Sequence, residues 1–187
     1  MHKISTKLAA YFIVSFHVLE TRLMVYLHQN IIHARVDEEY SRLLASGSNH
    51  RNVLEDHYSD ETITHIVLME AERDREVIIT GMNGGIIRSS YEDVDALLPD
   101  LSLLKSSDDQ KDCILIPDWK DSPYIVSAHP YKVSTGQSGY VVMFQSSQPI
   151  ERLVGKLNLH FGLAGGASII ILFVIYSILS KFLTRPF

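Results

Sequence analysis

The sequence predicts an α+β domain, with a five-stranded antiparallel sheet and a long N-terminal helix, between two transmembrane helices. An apolar run near each end of the chain is long enough for a membrane span. Five β-rich runs lie between the spans, and the turn signal Asn83-Gly84 separates the first two. Helical spacing of apolar residues precedes the first β-rich run and resumes after the last. Helices placed at the ends of a series of strands are typical of α+β domains.

Charge separates the middle of the chain from its ends. Residues 29–160 hold 12 of the 17 Lys and Arg and 21 of the 22 Asp and Glu, a net charge of −9, whereas the ends carry +4. Phosphate is repelled by such an acidic segment, so no nucleic-acid partner is expected. The single cysteine, Cys113, excludes an internal disulfide.

The two predicted spans differ in clarity. Residues 157–180 contain no Lys, Arg, Asp or Glu, and at about 1.5 Å per residue they cross the roughly 30 Å hydrocarbon core. Residues 8–28 have the right length but carry His17, Glu20 and Arg22. A charge near the centre of a span costs about 2.5–3.5 kcal/mol. These residues either point into a helix bundle or toward a partner chain, or are substitutions foreign to the natural protein. A cleavable signal peptide is the rival interpretation, but no small-residue cleavage site follows the apolar stretch.

Basic residues flank both spans on the same side. Lys3 and Lys7 precede the first span, and Lys181 and Arg185 follow the second, so the positive-inside rule predicts a two-span membrane protein with cytoplasmic termini. The predicted segments are a cytoplasmic N-terminus (1–7), a first span (8–28), an extracytoplasmic domain (29–160), a second span (161–181) and a cytoplasmic segment (182–187).

Within the middle segment, the first helix is predicted to continue out of the membrane and to break at residues 46–49. A second helix begins near Ser59, a good N-cap residue. The predicted strands are 77–80, 86–90, 113–117, 123–133 and 138–147, with a helical or irregular crossover at 91–106. The last helix begins near Pro149 and runs into the second span.

Four features of the sequence carry a resemblance to a known family. They are the hairpin "VIITGMNGGIIRSS", the closing segment "YIVSAHPYK…GYVVMFQSSQPIERLVGKL", the two-span layout, and "SKFLTRPF", which is similar to the start of a HAMP linker. Together they resemble the extracytoplasmic sensor region, of PAS-like (Cache or PDC) type, of a bacterial transmembrane sensor histidine kinase.

The resemblance implies the input module of a two-component system, which acts through helix movement. A homodimer is expected because the outer helix and the spans have apolar seams that a monomer would leave bare. The kinase region, with a cytoplasmic response regulator as its partner, would follow Phe187. The chain itself contains no phospho-accepting histidine box or ATP-binding lid, so it is not expected to be an enzyme. Alternatives are the input domain of a chemoreceptor or cyclase, a membrane-anchored envelope accessory protein and, more remotely, a secreted enzyme.

Two sets of side chains are candidates for binding. Candidates for a pocket beside the sheet are Arg88, Trp119, Tyr124, His129 and Tyr131. Strand alternation places Tyr124 on the face opposite His129 and Tyr131, so only a subset can line one pocket. Candidates for a metal site are His57, Asp60, Glu61 and His65, of which Glu61 and His65 are four residues apart on a helix.

The alternative to a metal site is a solvated, charged helix face, and no cofactor is expected beyond a possible divalent cation. In the second span, Gly162 and Gly166 form a small-xxx-small pair, which allows close approach of another helix.

Overall fold

The computed structural model describes residues 2–71, 75–91 and 111–184. Over these residues the chain is α+β, with a five-stranded antiparallel sheet and a long N-terminal helix, as the sequence predicts. The elements in chain order are α1 (His2–Asp56), α2 (Asp60–Ala71), β1 (Arg75–Gly81), β2 (Ile86–Ser89), β3 (Cys113–Ile116), β4 (Tyr124–Lys132), β5 (Ser138–Ser146) and α3 (Gln148–Thr184). The predicted crossover beyond Tyr91 and the linker residues 185–187 lie outside the described residues.

The sheet has the strand order β2-β1-β5-β4-β3, and each neighbouring pair is antiparallel. Its middle strand, β5, places Val142 opposite Ile78 of β1 and Ala128 of β4. The predicted hairpin joins β1 to β2, and Gly84 has a φ of 74° in its turn. A positive φ of this size favours glycine, which explains the Asn-Gly pair.

The two faces of the sheet are both buried, but by different groups of residues. One face carries an apolar cluster formed by Ile78, Val126, Ala128, Val142 and Phe144. The alternate residues of the same strands point to the opposite face, where Gly47 of α1 contacts His129 of β4 and Glu55 of α1 accepts a hydrogen bond from the Lys132 amide. We call this second side the helix face.

Helix α1 is unbroken at residues 46–49, so the predicted break there is wrong. A Cβ atom added to Gly47 would lie 2.1 Å from Nε2 of His129. The small residue therefore lets the helix approach the sheet closely instead of ending it. The neighbouring serines also make hydrogen bonds within the fold. Ser46 donates to Glu70 of α2, and Ser48 accepts from Arg51 of α1.

Helix α2 follows the sequence prediction closely. The hydroxyl oxygen of Ser59 accepts a hydrogen bond from the Thr62 amide at 3.1 Å, which is the N-cap contact. The buried residues of α2 are Ile63, Ile66, Val67 and Glu70.

By contact density the chain divides into two compact units. The sheet unit comprises Arg35–Glu151 and contains the sheet, α2 and the second part of α1. The apolar unit comprises the first part of α1, up to Ala34, and α3 from Arg152 onward. Both helices of the apolar unit are long and apolar enough to cross a membrane, and their most apolar stretches are not buried within the protein. A helix of a soluble core would instead bury such residues.

Candidate functional site

A buried histidine lies between α1 and the sheet. His129 of β4 is fully buried, with its Nε2 atom 3.0 Å from the Ser127 hydroxyl and its Nδ1 atom 3.1 Å from the Asp112 carboxylate. Burial lowers the pKa of His129, because the charged imidazolium loses its hydration, and this outweighs the opposing effect of Asp112. The ring is therefore held neutral near pH 7.

Asp112 also joins this histidine to α1. The Arg51 guanidinium of α1 donates to Asp112 at 2.5 Å and to Ser48 at 3.0 Å. Asp112 immediately precedes β3, the edge strand next to β4. The chain Arg51–Asp112–His129 therefore connects α1 to two neighbouring strands through charged and polar contacts.

A second buried polar pair connects α1 to α2. Nε2 of His50 lies 2.8 Å from the Glu70 carboxylate, and the two side chains are 8% and 0% exposed. Ser46 donates to the same carboxylate at 3.3 Å, and the Arg75 guanidinium of β1 lies 3.8 Å from its other oxygen. A buried carboxylate is costly unless charged and hydrogen-bonding partners surround it, and this one has both.

Tyr131 marks the other end of the helix face. Its hydroxyl donates to the Thr80 carbonyl at 3.0 Å, and its ring lies 6.0 Å from that of Tyr58. Burial raises the pKa of Tyr131, because the phenolate would lose its hydration. The side chain is thus a neutral, fixed donor.

The five predicted ligand-binding residues do not share one pocket. Tyr124 packs against the apolar cluster, whereas His129 and Tyr131 lie on the helix face, as strand alternation predicts. Arg88 pairs with Asp60 of α2 at 2.8 Å. Trp119 lies between β3 and β4, half-buried, with the Lys120 ammonium 5.4 Å from its ring centroid. His129 and Tyr131 therefore serve as contacts between the sheet and the helices.

The four predicted metal ligands are not brought together as a metal site. Among the described residues, no group of three His, Cys, Asp or Glu side chains is placed to hold a metal ion. Asp60 instead pairs with Arg88, and His57, Glu61 and His65 are exposed. These placements suit a solvated helix face, and the metal site stays a prediction.

The apolar unit holds a row of polar side chains between α1 and α3. The Ser168 hydroxyl donates to the Glu20 carboxylate at 2.5 Å, and Nδ1 of His17 lies 3.5 Å from the same carboxylate. Nearer the sheet unit along the sequence, Nε2 of His28 lies 2.7 Å from the amide oxygen of Asn158. Glu20, one of the charges that disturb the first predicted span, thus faces the second helix, whereas Arg22 is exposed.

The same polar row lines a cavity of about 500 Å³. Its polar lining includes His17, Glu20, His28 and Asn158, and its apolar lining includes Phe161 and Ile169. A second cavity of about 370 Å³ shares His17 and Ile169 with the first and is otherwise lined mainly by apolar side chains.

Among the described residues, the predicted glycine pair faces open space. Gly162 and Gly166 are exposed, and a Cβ atom added to either would meet open space. Gly165, between them, lines the larger cavity. The prediction that the pair supports contact with a helix of a partner chain stays a prediction.

Sequence reasoning missed the residues that connect α1 to the sheet unit. His50, Arg51, Glu70 and Asp112 are polar residues that sequence patterns assign to the surface. One signal was present, since Glu70 falls at helical spacing from Ile63, Ile66 and Val67. A carboxylate on the apolar face of a helix requires a buried partner, and His50 is one such partner.

Comparison with known proteins assigns no family. No protein-family model matches the chain, and no curated protein matches it with significance.

Proposed function

We propose that this chain is the input and transmembrane signalling module of a two-component sensor histidine kinase. In this proposal the sheet unit is a PAS-like (Cache or PDC) extracytoplasmic sensor, and the apolar unit crosses the membrane twice. Both termini are cytoplasmic, in keeping with Lys3 and Lys7 before the first apolar stretch and Lys181 after the second. The chain acts as a homodimer, and a kinase region linked to it passes the signal to a response regulator.

The observation that carries the proposal is the composition of α1. Over its first part the helix bears exposed apolar side chains, such as Phe12 and Leu19, at 73% and 66% exposure. Over its second part it contributes Leu43 and Leu54, fully buried, to the core of the sheet unit. One uninterrupted helix is thus both a candidate span and a core element of the outer domain.

Polar contacts suit α1 to the transmission of a stimulus. The helix is held to the sheet by Arg51–Asp112, by Gly47 against His129 and by the Lys132 amide on Glu55, and to α2 by His50–Glu70. A stimulus that favours a second arrangement of the sheet changes the preferred position of α1. The free energy available to move α1 is limited to the difference between the affinities of the stimulus for the two arrangements.

A chimaeric kinase tests the function. The chain is fused in frame to the HAMP and catalytic regions of a reporter histidine kinase, and autophosphorylation is measured in membrane vesicles. Gly47→Ala, which forces α1 away from His129, serves as a substitute for the unknown stimulus. We expect it to change the basal autophosphorylation rate, by about twofold or more.

A flexible insertion provides the control for this experiment. Four Gly-Ser residues inserted after His33 interrupt α1 between its two parts, and should abolish the effect of Gly47→Ala. The same insertion at the exposed Thr135, in the turn between β4 and β5, should leave it intact. Equal autophosphorylation by the parent chimaera and both α1 variants would contradict the proposal.

A further inference from the structure

Glu20 of α1 contacts the middle of the charge-free part of α3. Its carboxylate accepts from Ser168, and Ser168 is central in residues 157–180, which contain no charged residue. If the apolar unit spans a membrane, as proposed above, this contact places the carboxyl group near the middle of the hydrocarbon layer. Ionisable side chains at this depth are costly and are commonly functional.

The neighbours of Glu20 do not neutralise it with a fixed positive charge. Ser168 is a neutral donor, and His17 is cationic only when protonated. Among the described residues no Lys or Arg forms an ion pair with Glu20. Arg22 is exposed and lies two positions along the helix, about 200° around its axis. The site therefore offers a carboxylate that an external cation can pair with.

The space around Glu20 has the form of an amphiphile site. The larger cavity, about 500 Å³, is lined in part by the polar side chains of Glu20, His28 and Asn158, and it falls within the size range of small-molecule pockets. The adjoining cavity, about 370 Å³, is walled by apolar side chains that include Val14, Leu172 and Phe173. Because the two share His17 and Ile169, a polar head in the first can be continuous with a hydrocarbon chain in the second.

We propose that these joined cavities bind a protonated amphiphilic amine. Its ammonium group pairs with the Glu20 carboxylate, and its hydrocarbon chain lies along Ile169 and Phe173. The ligand enters sideways from the lipid, since the helices on either side are exposed. The inference rests on the proposed membrane insertion but requires no sensory role for the sheet unit.

Binding is tested with the full chain in lipid nanodiscs at pH 7. A photoreactive dodecylamine is crosslinked to the protein, and dodecylammonium or uncharged dodecanol is added as competitor. We expect dodecylammonium to compete at least about tenfold better than dodecanol, since a charged hydrogen bond is worth that factor. In Glu20→Gln, which keeps the shape and an acceptor for Ser168, the advantage should disappear.

Two further variants complete the experiment. Leu19→Gln places the same amide on the exposed side of the helix and should retain the preference for the amine. Ile169 lines both cavities, so Ile169→Trp puts a larger side chain into the space where they meet. This variant should weaken the binding of both competitors, whatever the charge at Glu20.

The proposal is overturned if Glu20→Gln binds the amine as well as the parent chain does, because binding is then partition into lipid. It is equally overturned if the cavity is occupied by a second copy, seen as a Glu20-dependent dimer in sedimentation that dodecylammonium does not displace. Membrane insertion is measured on the same samples by labelling an introduced cysteine. Correct insertion without amine preference refutes the site alone, whereas failed insertion refutes the membrane topology.

Discussion

Gly47 is the residue on which the packing of α1 against the sheet depends most directly. Its missing side chain leaves room for the His129 ring, which an added Cβ would meet at 2.1 Å from Nε2 and 2.2 Å from Cδ2. Alanine normally stabilises a helix relative to glycine. Here the ring is fully buried and fixed, so close packing outweighs helix propensity.

We expect Gly47→Ala to lower the free energy of unfolding of the sheet unit by about 1–3 kcal/mol, the usual cost of overpacking. Urea titration followed by the fluorescence of Trp119, the single tryptophan, reports this unit in the whole chain. Gly85→Ala is the control, because an added Cβ there meets open space. Equal stability of the two variants would show that α1 does not rest on His129.

His129 makes stability depend on pH with a definite sign. Because burial depresses its pKa below 6.5, the unfolded chain takes up a proton first as the pH falls. The contribution to stability is complete above about pH 6.5 and is lost as the pH falls from there toward the lowered pKa of the folded state. Asp112, Arg51 and His50 are the charged or titratable groups that act on the ring.

The measurement is the unfolding free energy from urea titrations at several pH values between about 5 and 8. We expect it to decrease toward acid in the parent chain and to decrease less steeply in His129→Gln. His57→Gln, at an exposed histidine, should retain the slope of the parent. A parent slope of opposite sign would mean that Asp112 governs the ring rather than burial.

At the scale of the elements, the strand connections depend on glycines with positive φ. The turn between β4 and β5 contains Gly136 at φ 96°, and its backbone bonds run from Gly136 to Val133 and from Val133 to Gln137. A β-branched side chain is strained in this conformation, at a cost of about 1–2 kcal/mol.

Gly136→Val should therefore destabilise the sheet unit by about 1–2 kcal/mol. Ser134→Val, two residues earlier at an exposed position of the same turn, should change stability by less than about 0.5 kcal/mol. Thermal unfolding followed by circular dichroism distinguishes the two. An unchanged melting temperature for Gly136→Val would indicate that the turn rearranges without cost.

The sequence predicts most of the elements because their signals are local. The Asn83-Gly84 turn, the Ser59 cap and the alternation of the five strands each act over a few residues. The error at residues 46–49 arises because Gly47 leaves room for the ring of His129, which lies 82 positions later in the chain. A local pattern cannot distinguish a glycine that ends a helix from one that fits beneath a ring.

The binding sites were less predictable for the same reason. Residue type suggested His129 and Tyr131 as ligand contacts, and this stays a prediction. Their contacts with Asp112 and Thr80 inside the fold were not predicted. Glu20 and Arg22 looked equally anomalous in the sequence. Only the position of Ser168 separates the inward carboxylate from the exposed guanidinium.

At the scale of the whole molecule, the proposed topology places the sheet unit outside the membrane and the N-terminus in the cytoplasm, where an impermeant reagent cannot reach it. Cys113 is replaced by serine, and one cysteine is introduced at Ser134 in the sheet unit or at Lys7 near the N-terminus, both exposed positions. A membrane-impermeant maleimide added to spheroplasts should label Ser134→Cys at once and Lys7→Cys only after permeabilisation. The reverse pattern would contradict cytoplasmic termini.

The unbroken α1 also limits how the gene for this chain can change. Each residue added to a helix turns everything beyond it by about 100° and advances it by about 1.5 Å. Three buried positions of α1 would be affected, at Leu43, Gly47 and Leu54. One codon inserted or deleted between them would turn either the glycine or a leucine away from its buried position. The segment should therefore accept substitutions far more readily than changes of length, whereas the exposed turn at 134–137 should accept both.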